Sequence, residues 1–451
     1  MTLAWTSKKL HLLLKHRTPR LLGLFHVSKL SISMNHAWRR HLTCPGITHI
    51  DPVLTMSTRL NPPFRAEHIG SLLRPAKLVA KRFEFETGAC SAEELKAVED
   101  ESIPAIVKLQ REAGMKTITD GEMRRAAFYQ GMFEKLGGME IVPNCSLTTF
   151  KSYIPYVGIF HAMGLTEYSS IYCNGKIKRT EGVHTDDFKY LKSLVSSEVE
   201  HIKVTICGPT WMHLRHGSDH TYDKSVYTND AQYFADLIQA YREEIKELYS
   251  LGCRNVQFDD PTFCFFCSDS MITGMEQAGV DHEALLRMYI DVFNDITKSR
   301  PADLTMGVHM CRGNFKGMHY TAGGYARISE TLFKRMDVDC FYLEFDDDRS
   351  GDLMPLRYLP PNKTAVLGLI TTKRGTLESI ANLRVRVEEA AEIISQGDPK
   401  RPKSDAMNQL CLSPQCGFAS VFEGNPISEE EERKKLELVV EAAKQIWQSF
   451  P

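Results

Sequence analysis

The chain has 451 residues, 43% of them hydrophobic and 25% charged, with a net charge of −2. That balance is ordinary for a globular protein and leaves no electrostatic footprint for nucleic acid or a membrane surface. No stretch reaches 18 consecutive apolar residues, so no transmembrane helix is expected, and the twelve scattered cysteines read as free thiols or metal ligands rather than a disulfide framework.

Residues 1–57 stand apart. No Asp or Glu precedes Asp51, whereas Lys8, Lys9, Lys15, Arg17, Arg20, Lys29, Arg39 and Arg40 are basic. Basic, acid-poor composition is that of a mitochondrial transit peptide, and the alternative is a leader ahead of a true start at Met56. The first reading sends the protein to mitochondria and the second leaves it in the cytoplasm. Either way this extension is expected to be disordered and to take no part in the fold.

From Leu60 onward, short apolar runs alternate with longer amphipathic stretches. "AEHIGSLL" (66–73) reads as a strand. A helix follows from Ser91, whose hydroxyl pairs with Glu94 in a capping box. "KTITDGE" (116–122) is the next strand candidate. The segment from Met123 to His201 resists assignment; it holds a strand candidate at "CNGKIKRT" (173–180) and reads as an excursion. "KVTICGPT" (203–210) precedes a helix over 230–252 that ends at Gly252 as its C-cap. "NVQFDDP" (255–261), "TMGVHMC" (305–311), "FYLEF" (341–345) and "TAVLGLITT" (364–372) continue the series. A helix over 376–397 and the strand candidate "QLCLSPQCGF" (409–418) follow. The last helix starts at Ser428, capped with Glu431, and its apolar face is Leu436, Val439, Val440, Ala443 and Trp447. Alternation at this spacing predicts βαβ units and a parallel sheet, here an α/β domain over residues 58–451 that closes as a TIM-type (β/α)₈ barrel. Nine strand candidates are one too many for eight places, and the spacing does not identify the odd one.

Alternating side chains of a barrel strand face the helices or the interior. Val308 and Met310 share one parity, His309 and Cys311 the other; Phe341, Leu343 and Phe345 oppose Tyr342 and Glu344; Val256 and Phe258 oppose Gln257 and Asp259. Sending the apolar sets outward gathers His309, Cys311, Glu344 and Asp259 at the C-terminal mouth, where such barrels keep their active sites. A histidine and a cysteine two apart on a strand suit one metal ion, as does a carboxylate. Cys264 and Cys267, crowded by Phe263, Phe265 and Phe266, read as buried structural thiols.

These motifs, with "SPQCG" around Cys416, resemble the zinc-ligand pattern of the cobalamin-independent methionine synthases, in the same order. "IGS" at Ile69, Gly70 and Ser71 resembles that family's amino-acid carboxylate loop. "TDGE" ending at Glu122 and "FDDP" containing Asp259 resemble the carboxylates that hold the homocysteine ammonium. "CGPT" (207–210) and "GLITT" (368–372) are also similar. The likeness runs from about Phe64 to the C-terminus and covers only the catalytic barrel, as in short, single-barrel members. It implies a zinc-dependent methyltransferase with a barrel of the uroporphyrinogen decarboxylase and methionine synthase kind. Zinc would be held by His309, Cys311, Glu344 and Cys416. The methyl group would pass from a methyltetrahydrofolate-type donor, polyglutamylated or not, to homocysteine.

A free thiol has a pKa of about 8.5, so it needs the metal's charge to be thiolate at neutral pH. The donor side departs from the family. Lys373 stands where the family has its proton-donating histidine, and that role requires its pKa to fall below about 10.4. Phe265 falls where a folate-contacting carboxylate is expected, and Arg215 or Trp211 falls near the tryptophan that stacks on the pterin. Lys176, Lys178 and Arg179 offer a basic segment for an anionic donor tail. Alternatives that keep part of this pattern are methylcobalamin as donor, another small thiol as acceptor, a metal-free decarboxylase and a non-catalytic zinc-binding barrel. The expected partners are thus a small thiol and a methyl donor, with no nucleic acid and no membrane.

Overall fold

The computed structural model describes residues 60–195 and 201–447; the basic extension lies outside them. Six parallel strands run side by side in chain order: β3 (Val204–Cys207), β4 (Asn255–Asp259), β5 (Thr305–Met310), β6 (Cys340–Glu344), β7 (Thr364–Ile370) and β8 (Leu410–Pro414). Every residue in them is buried, as expected of a parallel sheet covered on both faces. The ring closes through two shorter segments. Ala66 bridges Leu412 of β8, Ile118 bridges Ile202 just before β3, and Leu72 N–H donates to Gly121 O between the two segments. The result is the expected eight-stranded barrel.

Most of the large outward residues, Phe258, Val308, Met310, Phe341 and Leu343, belong to the main apolar core. Inside the barrel a smaller cluster of Ile69, Cys340, Tyr342, Val366 and Cys411 fills the space. Below it Lys203 and Glu67 form a fully buried ion pair at 2.8 Å. The parity reading of the strands therefore holds, and it turns the polar set toward the mouth.

The helices bear out the capping signals. Helix α1 (Ala92–Glu112) has the Ser91–Glu94 capping box. Helix α2 (Trp211–His220) follows β3, and α3 (Asp230–Ser250) ends before Gly252, whose φ is +107°. Helix α4 (Ile380–Ser395) starts four residues later than its apolar pattern. Glu378 is drawn away to accept the Thr371 N–H and to pair with Lys435. Helix α5 (Glu429–Ile446) has the Ser428–Glu431 box, and its predicted apolar face is buried. Among the described residues no helix is long and apolar enough to cross a membrane.

The extra strand is resolved in the unreadable segment. Strands β1 (Gly137–Ser146) and β2 (Glu167–Lys178) form an antiparallel pair outside the barrel, and β2 takes in most of the "CNGKIKRT" candidate. Both strands are partly exposed, which is why their apolar content is too thin to read.

Candidate active site

Strand ends deliver the four side chains that could hold a metal ion. His309 is the second-to-last residue of β5, Cys311 follows that strand, Glu344 ends β6 and Cys416 follows β8. All four are buried, and one ligand atom from each lies within 4.8 Å of the other three. The Cys311 and Cys416 sulfurs are 3.4 Å apart. Tetrahedral zinc with bonds of about 2.0–2.3 Å sets its ligand atoms about 3.3–3.8 Å apart, so the cluster fits that ion. Among the described residues both ring nitrogens of His309 are buried without a hydrogen-bond partner, and a metal bond would satisfy one of them. The hydrogen bond from Cys311 holds the Cys416 thiol well below its usual range, and the same bond pushes Cys311 up.

Glu344 is anchored from behind. Its Oε1 accepts the Arg312 N–H at 3.0 Å and its Oε2 accepts Arg349 Nη2 at 2.9 Å. Burial pushes this carboxyl up, but Lys373, Arg349 and Arg312 together outweigh it and hold it low. Arg349 belongs to the acidic loop after β6, and its partner Asp346 is buried rather than solvated. Sequence reasoning missed this supporting layer, because an arginine amid aspartates reads as a surface loop.

Beside the cluster stand two carboxylates, each with one oxygen spoken for. Glu122 Oε1 accepts from Thr205 Oγ1 at 2.9 Å, and Asp259 Oδ1 accepts from Gln257 Nε2 at 2.8 Å. Among the described residues Glu122 Oε2 and Asp259 Oδ2 are buried without partners. Burial pushes Asp259 up to about 7 and also raises Glu122. Glu122 follows Gly121 in a left-handed bend, with φ of +58°. Ile69 and Ser71 line the same cavity. Gly70 between them has φ of +130° and packs on Thr205, leaving no room for a side chain.

The cavity above these groups holds about 320 Å³, within the range of small-molecule sites. The excursion supplies much of its wall: Phe128, Tyr129, Tyr156, Phe160 and Tyr168 face Trp211, Phe265 and Tyr320. Trp211 is thus brought to the site, as expected. Arg215, one turn along α2, also lines the cavity and is only 2% exposed. Its guanidinium lies 5.0–5.9 Å from the ring centres of Phe150, Trp211, Tyr129 and Tyr156.

Three predicted donor-side residues stand elsewhere or only nearby. Arg179 is forked between Glu244 and Glu247, and Lys176 lies over Tyr227, 3.8 Å from Asp236; neither lines the cavity. Their carboxylate partners sit on α3, which the linear reading could not align with β2. Lys373 follows β7 and donates from Nζ to Asn314 Oδ1 at 3.1 Å, and Asn314 lines the cavity. Cys264 and Cys267 are buried and donate to the Met310 and Phe263 carbonyls, consistent with a structural role.

Residues 64–445 match the catalytic domain of the cobalamin-independent synthases. The chain belongs to this family. It is 36% identical to the uncharacterized protein YxjH of Bacillus subtilis over 386 residues, 85% of this chain and 95% of that one. A putative vitamin-B12 independent methionine synthase from Listeria monocytogenes has a solved structure with 32% identity and a TM-score of 0.64. The match covers 87% of this chain and 99% of that chain. The methionine synthase of Sulfolobus acidocaldarius is 30% identical over 193 residues, 43% of this chain and 50% of its own length. As a member of the cobalamin-independent methionine synthase family, the chain is a methyltransferase.

Proposed function

We propose that this methyltransferase moves a methyl group from a methyltetrahydrofolate-type donor to the thiol of homocysteine, forming methionine, with one zinc ion held by His309, Cys311, Glu344 and Cys416. The observation that carries this reading is a juxtaposition. Three members of the four-residue cluster, His309, Cys311 and Cys416, line one cavity with two half-paired carboxylates, Glu122 and Asp259. When bound, zinc supplies the positive charge that keeps the acceptor thiol deprotonated at neutral pH.

The chain's own groups do the rest. The free oxygens of Glu122 and Asp259 accept hydrogen bonds from the ammonium of the amino acid, charge-assisted contacts that fix its orientation. The Ser71 hydroxyl and the backbone N–H groups around Gly70 donate to the amino-acid carboxylate. The rings around Trp211 and Phe265 take the flat donor and exclude water. As the methyl carbon bonds to sulfur, the bond to the donor nitrogen breaks. That nitrogen keeps the electron pair and takes a proton from Lys373 Nζ.

The test is methionine formation from homocysteine, with methyltetrahydrofolate mono- and polyglutamates and methylcobalamin offered separately to protein of known zinc content. Product with a folate and stoichiometric zinc is the expected result. Activity with methylcobalamin alone would reassign the donor, and a protein that neither holds nor takes up zinc would overturn the reading.

A further inference from the structure

The cavity holds a buried charge that the methyl transfer just described does not use. Arg215 is enclosed among rings, and its neighbours with bearing on its charge are tyrosines, not carboxylates. Among the described residues its Nη1 reaches the Met212 sulfur at 3.7 Å, the Tyr156 hydroxyl is close enough to act on its charge, and its Nε has no partner. The Trp211 Nε1 and Tyr156 Oη in the same wall are also buried without partners. Of the other cations weighed for the donor, Lys176 and Arg179 are paired with carboxylates outside the cavity, Lys178 is exposed at the end of β2 and does not line the cavity, and Lys373 donates to Asn314.

A box of aromatic rings beside a methyl-transfer site would ordinarily suit a methylated cation, because ring faces attract positive charge. Here the rings already surround one. A second cation would meet Arg215 in a poorly screened interior, where like charges repel strongly. An anion would neutralise a guanidinium that is buried without a counter-charge among the described residues, and ring faces offset only part of that burial.

We propose that Arg215 selects the methyl donor by charge: the cavity takes a flat donor whose anionic group seats on this guanidinium, and it turns away sulfonium and quaternary-ammonium donors. This rests on reading the aromatic cavity as the donor side of the site. The anion-binding role that the linear sequence suggested for Lys176 and Arg179 falls to Arg215, with Trp211 Nε1 and the Tyr156 hydroxyl as further donors.

Three flat probes of equal size test it by calorimetric titration of the full-length zinc protein: 2-naphthoate, 2-naphthamide and 2-naphthylmethylammonium. Naphthoate is expected to bind at least tenfold tighter than the amide, with the ammonium weakest. Arg215→Met should abolish that order, and Arg215→Lys should retain part of it. Equal binding of naphthoate and ammonium by the wild type would overturn the proposal, as would the same order in Arg215→Met. Displacement of naphthoate by 2-mercaptoethanol, a neutral metal-binding thiol, would place the carboxylate on the metal and also overturn it. This last arm needs no variant, so it decides even if Arg215→Met fails to fold. Zinc content and homocysteine binding measured on the same samples separate the two ideas. Their loss with the probe order intact would sink the homocysteine reading and leave Arg215's role standing.

Discussion

Gly70 lies so close to Thr205 that a Cβ at position 70 would stand 2.5 Å from Thr205 Cγ2. Thr205 in turn donates its hydroxyl hydrogen bond to Glu122. Gly70→Ala must therefore move Thr205, and with it the carboxylate proposed to hold the ammonium. The expected outcome is at least a tenfold loss of homocysteine affinity with zinc content unchanged. Strain at the left-handed backbone should also cost about 1–3 kcal/mol of stability. Unaltered thiol binding would break the proposed link from Gly70 to Glu122.

For the metal, Cys311→Ser and Cys416→Ser should each lose most of the zinc, measured by elemental analysis of the purified protein. Arg349→Met tests the layer behind Glu344. Removing one hydrogen bond to a ligating carboxylate should weaken zinc binding by about 10–100-fold, the usual worth of such support. Zinc affinity equal to wild type in all three variants would show that the ligands are misassigned.

Lys373 is oriented by Asn314 Oδ1 and the Gly313 carbonyl, next to the loop that carries Cys311. If it gives the departing nitrogen its proton, Lys373→Met should lower turnover with methyltetrahydrofolate by about 10²–10⁴, the usual contribution of a general acid. Zinc and homocysteine binding should persist. A fully active variant would assign the proton to another group.

A pH effect on stability follows from Glu432 on α5. It is fully buried, and its Oε1 accepts the Leu73 N–H at 2.9 Å just past the Gly70–Ser71 loop. Burial pushes its carboxyl from 4.5 up to about 8. Between those values the unfolded chain has lost the proton that the folded chain keeps, so stability falls as pH rises from about 4.5 to 8. Glu432→Gln removes that dependence. Relative to wild type, the variant should gain stability across this window, on the order of 4 kcal/mol by pH 8. Parallel denaturation curves at pH 5 and pH 8 would contradict it.

Much of the barrel was legible because its strands are buried on both faces and its helices carry strong caps. Parity alone oriented His309, Cys311, Asp259 and Glu344 correctly, since one face of each strand is plainly apolar. Cys416 lay beyond parity, on a turn, and needed a family likeness. The aromatic wall was not legible. Phe128, Tyr156 and Tyr168 sit in an excursion whose strands are half-exposed, so no periodicity marks them. Lys176 and Arg179 misled for a related reason. Their partners Asp236, Glu244 and Glu247 lie more than fifty residues away on a helix, and only the folded chain brings them together.

Glu122 adopts a left-handed conformation at φ +58° that non-glycine residues rarely take. Glycine takes it without strain, so Glu122→Gly should be more stable than Glu122→Ala by about 1 kcal/mol, the reverse of the usual order. Thermal unfolding of the two variants measures the difference, and equal midpoints would remove the strain. Both lose the carboxylate, so neither should bind the amino acid well. Selection for a durable fold and selection for a working catalyst thus pull this position in opposite directions. A library of this chain screened for heat resistance alone should drift toward glycine at 122, and survivors that keep glutamate would be those under demand to make product.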